Sequence, residues 1–169
     1  MGGDVTDAMD INNHGIVVGR SATPDFDQHA FAWKKGVMKD LLVPSSMANA
    51  INSVGQIVGD AQFQAAISAF LWDRGAVTFL GSFGGQDTHA FDINDSGEVV
   101  GSSDLPNSVG DSHAYLWKNR VMTDLNDRVS PNSGWILYSA TAINETGVIA
   151  GTGRNPQGKV HAFLLKPQQ

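Results

Sequence analysis

One phrase, present in four versions, constrains this chain more than anything else in it. It reads DINNHGIVVG from Asp10, AINSVGQIVG from Ala50, DINDSGEVVG from Asp92 and AINETGVIAG from Ala142. Three residues before each isoleucine sits an alanine: Ala8, Ala48, Ala90 and Ala140. A second block follows in every copy, HAFAW from His29, SAFLW from Ser68, HAYLW from His113 and HAFLL from His161. A third block follows in three of them, VMKDLL from Val37, AVTFLG from Ala76 and VMTDLN from Val121. The repeat alanines lie 40, 42 and 50 positions apart, a spacing typical of propeller-like arrays.

Each block has the character of a strand: short, rich in Val, Ile, Phe, Trp and Leu, and bounded by Gly, Asn, Asp, Pro or Ser. No segment sustains an apolar period of 3.6 residues, so essentially no helix is expected. The 19 glycines and the low charged fraction of 17% fit many short strands joined by tight turns. Within the opening phrase, Asn stands three residues before Gly in all copies: Asn12/Gly15, Asn52/Gly55, Asn94/Gly97 and Asn144/Gly147. Asn suits the first position of a type I turn, where its side chain caps main-chain N–H groups. Gly suits the fourth, where the backbone turns left-handed. The phrase therefore predicts a hairpin.

At these residues the chain resembles the HAF-repeat family, named for its His-Ala-Phe signature. The resemblance covers essentially the whole chain. It includes the four I-N-x-x-G blocks, LGSFGG from Leu80, and the unit running from Asp124 through Ser133 to HAFLLKP at His161. Two positions depart from the pattern, Ser68 for the signature histidine and Leu165 for tryptophan. The resemblance implies a bacterial, extracellular or cell-surface protein, and it brings with it no established enzymatic activity.

The spacing by itself predicts an all-β fold. We expect a four-bladed β-propeller of four-stranded antiparallel blades, the last short of one strand, in a single domain. The units span about 4–43, 44–85, 86–135 and 136–167. Alternation along H-A-F-x-W puts His29, Phe31 and Trp33 on one face and Ala30 and Ala32 on the other, so a large face can pack on a small one. A closed ring is the favoured form. A fragment of a larger propeller is the alternative, because MGGDVTDA begins midway through an inter-blade loop. A β-trefoil has three units, and a sandwich gives no reason for the periodicity. The edge left in the last blade offers a place for a homodimer to pair.

Several functions are excluded. A net charge of −6 gives nucleic-acid binding no electrostatic basis. No apolar run reaches the roughly 18 residues a membrane span requires, and the N-terminus has no signal-peptide core, so any export signal would lie outside this chain. The absence of cysteine removes disulfides, thiolate metal sites and a cysteine nucleophile.

Candidate sites are then weighed by geometry. His29, His113 and His161 are of the type that binds zinc. As equivalent residues on third strands they should lie too far apart to share a metal, and packing between blades explains them better. Asp92, Asn94, Ser96 and Gly97 resemble the start of a calcium loop, but the twelfth position holds Ser103 instead of an acid. Asn12, Asn52, Asn94 and Asn144 would ring a channel mouth, a place for a structural cation or water; turn capping accounts for them more simply. No cofactor is expected. No nucleophile elbow, zinc motif, Walker loop or dinucleotide fingerprint is present, and Gly84-Gly85 is too short a signal for phosphate.

Asp87, Asp104, Asp111 and Asp127 fall in loops that would share one face, where paired acids could hydrolyse glycosides. The variable segments SATPDFDQ, DAQFQAA, SSDLPNSVGD and GRNPQGK crowd the same face, with Phe83 and Trp135 in neighbouring linkers and Arg154 at its rim. Trp135 has a second reading, as a core plug near the last blade. Trp33, Trp72 and Trp117 are expected between blades. The function expected is noncatalytic binding of a glycan or protein through this loop face. A carboxylate hydrolase on the same face and a structural unit of a larger surface protein are the alternatives.

Overall fold

The computed structural model describes residues 5–107 and 110–167, and in it each repeat becomes one antiparallel sheet. The first sheet is a meander of β1 (Thr6–Ile11), β2 (Val17–Ala22), β3 (Gln28–Lys34) and β4 (Val37–Asp40). The second comprises β5 (Ser46–Ile51), β6 (Ile57–Phe63), β7 (Ala66–Asp73) and β8 (Ala76–Phe79). The third comprises β9 (Thr88–Ile93), β10 (Val99–Asp104), β11 (Ser112–Lys118) and β12 (Val121–Asp124). Among the described residues the fourth has three strands, β13 (Ile136–Ile143), β14 (Ile149–Arg154) and β15 (Val160–Leu165). Two 3-10 turns, Leu125–Arg128 and Pro131–Ser133, lie in the linker before β13.

The expected hairpins form as predicted. The N–H groups of Gly15, Gly55, Gly97 and Gly147 donate to the carbonyls of Asn12, Asn52, Asn94 and Asn144 at 3.0, 3.2, 3.0 and 3.0 Å. These glycines have φ of 70°, 88°, 72° and 75°, the region an L side chain resists.

A feature not foreseen is a bulge in each sheet's first strand, at Met9, Asn49, Phe91 and Thr141. The bulge presses the preceding carbonyl over a glycine of the second strand. A Cβ on Gly19, Gly59, Gly101 or Gly151 would overlap the carbonyl oxygen of Asp7, Met47, His89 or Ser139. The glycine that closes each V-V-G block is therefore required by close backbone approach.

Sheets pack large face on small face, as alternation predicted. Ile51, Ile57, Phe70 and Trp72 of the second sheet cluster with Val18 and Ala30 of the first. Ile93, Val99, Tyr115 and Trp117 of the third cluster with Ala50, Val58, Ala69 and Leu71 of the second. Ile143 and Ile149 of the fourth, with half-buried Phe163 and Leu165, cluster with Val100 and Ala114 of the third. Each large side chain so buried contributes about 2 kcal/mol.

The sheets thus stack first on second, second on third and third on fourth, while among the described residues the first and fourth share no packing interface. The expected closed four-bladed ring is not what forms; four sheets make an open array. The physical reason shows in the tryptophans. Trp72 and Trp117 are 8% and 6% exposed, as expected of residues between sheets, but Trp33 is 37% exposed because no sheet among the described residues packs on its face.

Candidate functional site

The connections sort to two ends. Asn-x-x-Gly turns occupy one end. The second-to-third-strand loops and the linkers between sheets meet at the other, as their bonds record. Ser45 N and Oγ reach Asp27 at 3.3 and 2.9 Å, Phe83 N donates to Ser103 Oγ at 3.0 Å, and Asp104 N donates to Asp87 O at 2.8 Å.

At this loop end lies a hollow of about 410 Å³, lined among others by Arg20, Phe26, Gln28, Met47, Asp60 and His89. His89 Nδ1 is 2.9 Å from Asp60 Oδ2, and Asp60 Oδ1 accepts the Ala90 N–H at 3.0 Å, tying the second sheet to the third. The Asp60 hydrogen bond raises the His89 pKa above its ordinary 6.5; burial opposes this, and the charges of Asp60, Asp87 and Asp104 assist it. Arg20 Nε donates to Asp7 Oδ2 at 2.8 Å, which holds the guanidinium at the hollow's edge.

Phe26 is the unusual member. It is 90% exposed and has φ of 64°. Its turn closes with Phe26 N donating to Thr23 O at 3.0 Å and Thr23 N to Asp27 O at 2.7 Å. The fourth sheet repeats the same pair of bonds in its own loop, Gly158 N to Asn155 O and Asn155 N to Lys159 O, with glycine at the left-handed position. An aromatic ring at that position costs about 1 kcal/mol and buries nothing in return.

The residues singled out from sequence fall into separate groups. Phe83, Asp87 and Asp104 come together, but Phe83 is half-buried against the core of the second and third sheets. Asp87 Oδ1 accepts the Ile67 N–H at 2.8 Å and Asp104 Oδ2 the Asp87 N–H at 3.3 Å, so both carboxylates hold main chain. Asp111 is exposed ahead of β11. Ser108 and Val109 of its loop lie outside the described residues. Trp135 packs against the core of the third and fourth sheets, which favours its reading as a plug, and Arg154 Nε donates to Tyr138 Oη at 3.1 Å. Asp127 is exposed on the linker before β13. Sequence reasoning missed Arg20, Phe26, Asp60 and His89. The available signal was a phenylalanine inside the polar turn TPDFD, and the tripeptide His89-Ala90-Phe91 placed on a first strand instead of a third.

Other candidates are structural. His29 Nδ1 pairs with Asp40 Oδ2 at 2.9 Å and His113 Nδ1 with Asp124 Oδ2 at 2.5 Å, each within its own sheet. His161 is exposed, and the three do not converge. Asp92 spends its oxygens on the N–H groups of Ile93 at 2.9 Å and Ile143 at 2.8 Å. Burial raises its pKa, and it lies at the turn end, away from the hollow.

The four asparagines form a ladder. Each Oδ1 caps its own turn, as Asn94 does for Ser96 N at 3.1 Å and Glu98 N at 3.0 Å. The Nδ2 groups of Asn12, Asn52 and Asn94 donate to the main-chain oxygens of Asn52, Asn94 and Asn144 at 3.0, 3.0 and 3.2 Å.

No family model matches the chain, and no curated protein does. A solved structure does: the acylaminoacyl peptidase of Pyrococcus horikoshii, in its orthorhombic crystal form, with a TM-score of 0.64 and 14% identity over 96% of this chain. The chain spans 26% of the peptidase's length. At that identity the likeness concerns the fold alone, and it identifies the all-β array described above as propeller-like.

Proposed function

We propose that this chain is a run of propeller blades serving as a noncatalytic binding module, exposed at the cell surface or outside the cell, that takes a glycan at its loop end. The observation that carries this reading is Phe26, a ring held 90% exposed in a left-handed turn beside a hollow of about 410 Å³. An aromatic face offers a sugar ring apolar C–H contact, and Arg20, Gln28, Asp60 and Gln62 supply donors and acceptors for its hydroxyls. The location follows the resemblance to HAF-repeat proteins; among the described residues no helix is long and apolar enough to cross a membrane.

Hydrolysis has less support. A glycosidase pair requires one carboxyl kept protonated and another across the bond. Here Asp60, Asp87 and Asp104 are bonded to main chain, and the carboxyl that burial holds high, Asp92, is at the opposite end.

The test is a glycan array followed by calorimetric titration of the best ligand. Phe26→Ala is expected to weaken binding about tenfold, equivalent to about 1.4 kcal/mol. Asp111→Asn, away from the hollow, should leave affinity unchanged. An empty array, or a ligand indifferent to Phe26→Ala, would overturn the proposal.

A further inference from the structure

The two ends of the array are complementary to each other. The uncovered face of the first sheet carries Ile11, Val17 and Trp33, with Ile11 63% and Trp33 37% exposed. Their counterparts in the third sheet, Ile93, Val99 and Trp117, are 5%, 0% and 6% exposed because the second sheet covers them. The uncovered face of the fourth sheet carries Ala142, Ala150, Ala162 and Leu164, with Leu164 60% exposed. The counterparts in the second sheet, Ala50, Val58, Ala69 and Leu71, are 4%, 0%, 1% and 8% exposed beneath the third. The fourth sheet's free face thus matches the second sheet's covered one, and the first sheet's free face matches the third's.

Polar groups at the same ends agree. Asn144 is the last rung of the ladder, and among the described residues its Nδ2 has no acceptor. The Asn12 main-chain oxygen begins the ladder and, among the described residues, accepts only the Gly15 N–H. Beside it runs a second series, Ser53 N to Asp95 Oδ1 at 2.7 Å and Asp95 N to Glu145 Oε2 at 2.9 Å. The next donor in that series is Glu145 N, and the residue at the receiving position of the first sheet is Asn13, which carries an amide oxygen.

Chemistry alternates by sheet as well. The first and third have Asp10 and Asp92 before the isoleucine, and the second and fourth have Ala50 and Ala142. Asp10 and Asp92 each hold the isoleucine N–H of the following sheet, Ile51 at 2.9 Å and Ile143 at 2.8 Å. A junction of fourth on first therefore repeats the one between second and third, which forms without such an acid.

We propose that two copies of this chain assemble head to tail, the first sheet of each packing on the fourth sheet of the other, to close a ring of eight sheets. A heterologous contact closes when its rotation allows and otherwise grows into filaments. Eight lies within the four to eight blades that propellers use.

Size exclusion with light scattering tests this. The expected mass is twice the 18.0 kDa of one chain. A species of 18.0 kDa at tens of micromolar, or one that grows with concentration, would overturn the closed pair. Ile11→Lys and Leu164→Asp change exposed positions, so each should keep its far-UV spectrum and run as a monomer. Mixing the two should restore a dimer, because one junction of the pair then has two unaltered faces. Variants that stay dimeric singly would point to pairing along the β15 edge and refute the face-to-face arrangement; a mixture that stays monomeric would refute head-to-tail order. Asn144→Asp keeps the turn cap and removes the donor, and should weaken dimerisation at least about tenfold.

Discussion

The Tyr115 hydroxyl donates to the main-chain carbonyl of His89 at 2.9 Å, passing over Gly101 on the strand between them. A Cβ on Gly101 would overlap that carbonyl oxygen and come within 2.7 Å of the hydroxyl itself. Tyr115 is wholly buried, so it has nowhere to retreat. Gly101→Ala is expected to cost about 3 kcal/mol or more in urea unfolding. Gly97→Ala, at φ of 72° with only the flexible end of Gln56 nearby, should cost about 1 kcal/mol. Equal costs would show that backbone approach is not what selects the first glycine.

Asn94 serves four groups at once, capping Ser96 N and Glu98 N through Oδ1 and donating through Nδ2 to Asn144 O and to Glu98 Oε2 at 2.7 Å. It is 1% exposed, so water cannot replace what is lost. Asn94→Ala should cost about 2–3 kcal/mol, and Asn94→Asp at least as much although the cap oxygen survives, because it sets a buried carboxylate against Glu98 Oε2 and the Asn144 carbonyl. Chemical denaturation of both variants distinguishes turn capping from the ladder between sheets.

The His89–Asp60 pair makes stability depend on pH. The folded pKa of His89 lies above 6.5, so protonated histidine is bound more tightly in the folded chain than in the unfolded one. The stabilisation is complete below about pH 6.5 and is lost as pH rises through the folded value. In thermal melts across that range, the wild type should lead His89→Gln by a margin that shrinks toward alkaline pH. A margin constant in pH would mean that the charge of His89 contributes nothing.

In the three sheets that have a fourth strand, histidine on the third strand and aspartate on the fourth occur together, as His29 with Asp40 and His113 with Asp124. They are missing together where Ser68 and Phe79 stand. Asp124 also accepts from Asn126 N at 2.8 Å and Asn126 Nδ2 at 2.9 Å, capping the turn that follows. Asp124→Ala should therefore cost about 2 kcal/mol and His113→Ala about 1 kcal/mol. A reversed order in equilibrium unfolding would show that the histidine has another partner of weight.

The candidate site was barely legible in the sequence. Asp87, Asp104 and Phe83 stood out because they are polar or aromatic residues in loops, and folding spends all three on main-chain bonds and core contact. Arg20, Asp60 and His89 sit inside strands, where nothing marks them until three sheets bring their ends together. Asp92, before Ile93, looked like the start of a calcium loop, while nothing marked Asp10 before Ile11. Only the neighbouring sheet reveals that each caps an isoleucine N–H.

What the sequence determined by itself was local: four hairpins, their strands, and a large face alternating with a small one. Turn chemistry and a two-residue period depend only on neighbours along the chain. Whether the stack closes was decided elsewhere, by the angle at which each sheet leans on the next. That angle is set by bulges and by side chains interlocking across distant repeats, and repetition in the sequence carries no count of how many such steps complete a circle. Ile11 and Ile51 occupy the same place in the same phrase, yet one is 63% exposed and the other 7%, because among the described residues only Ile51 is covered by a neighbouring sheet.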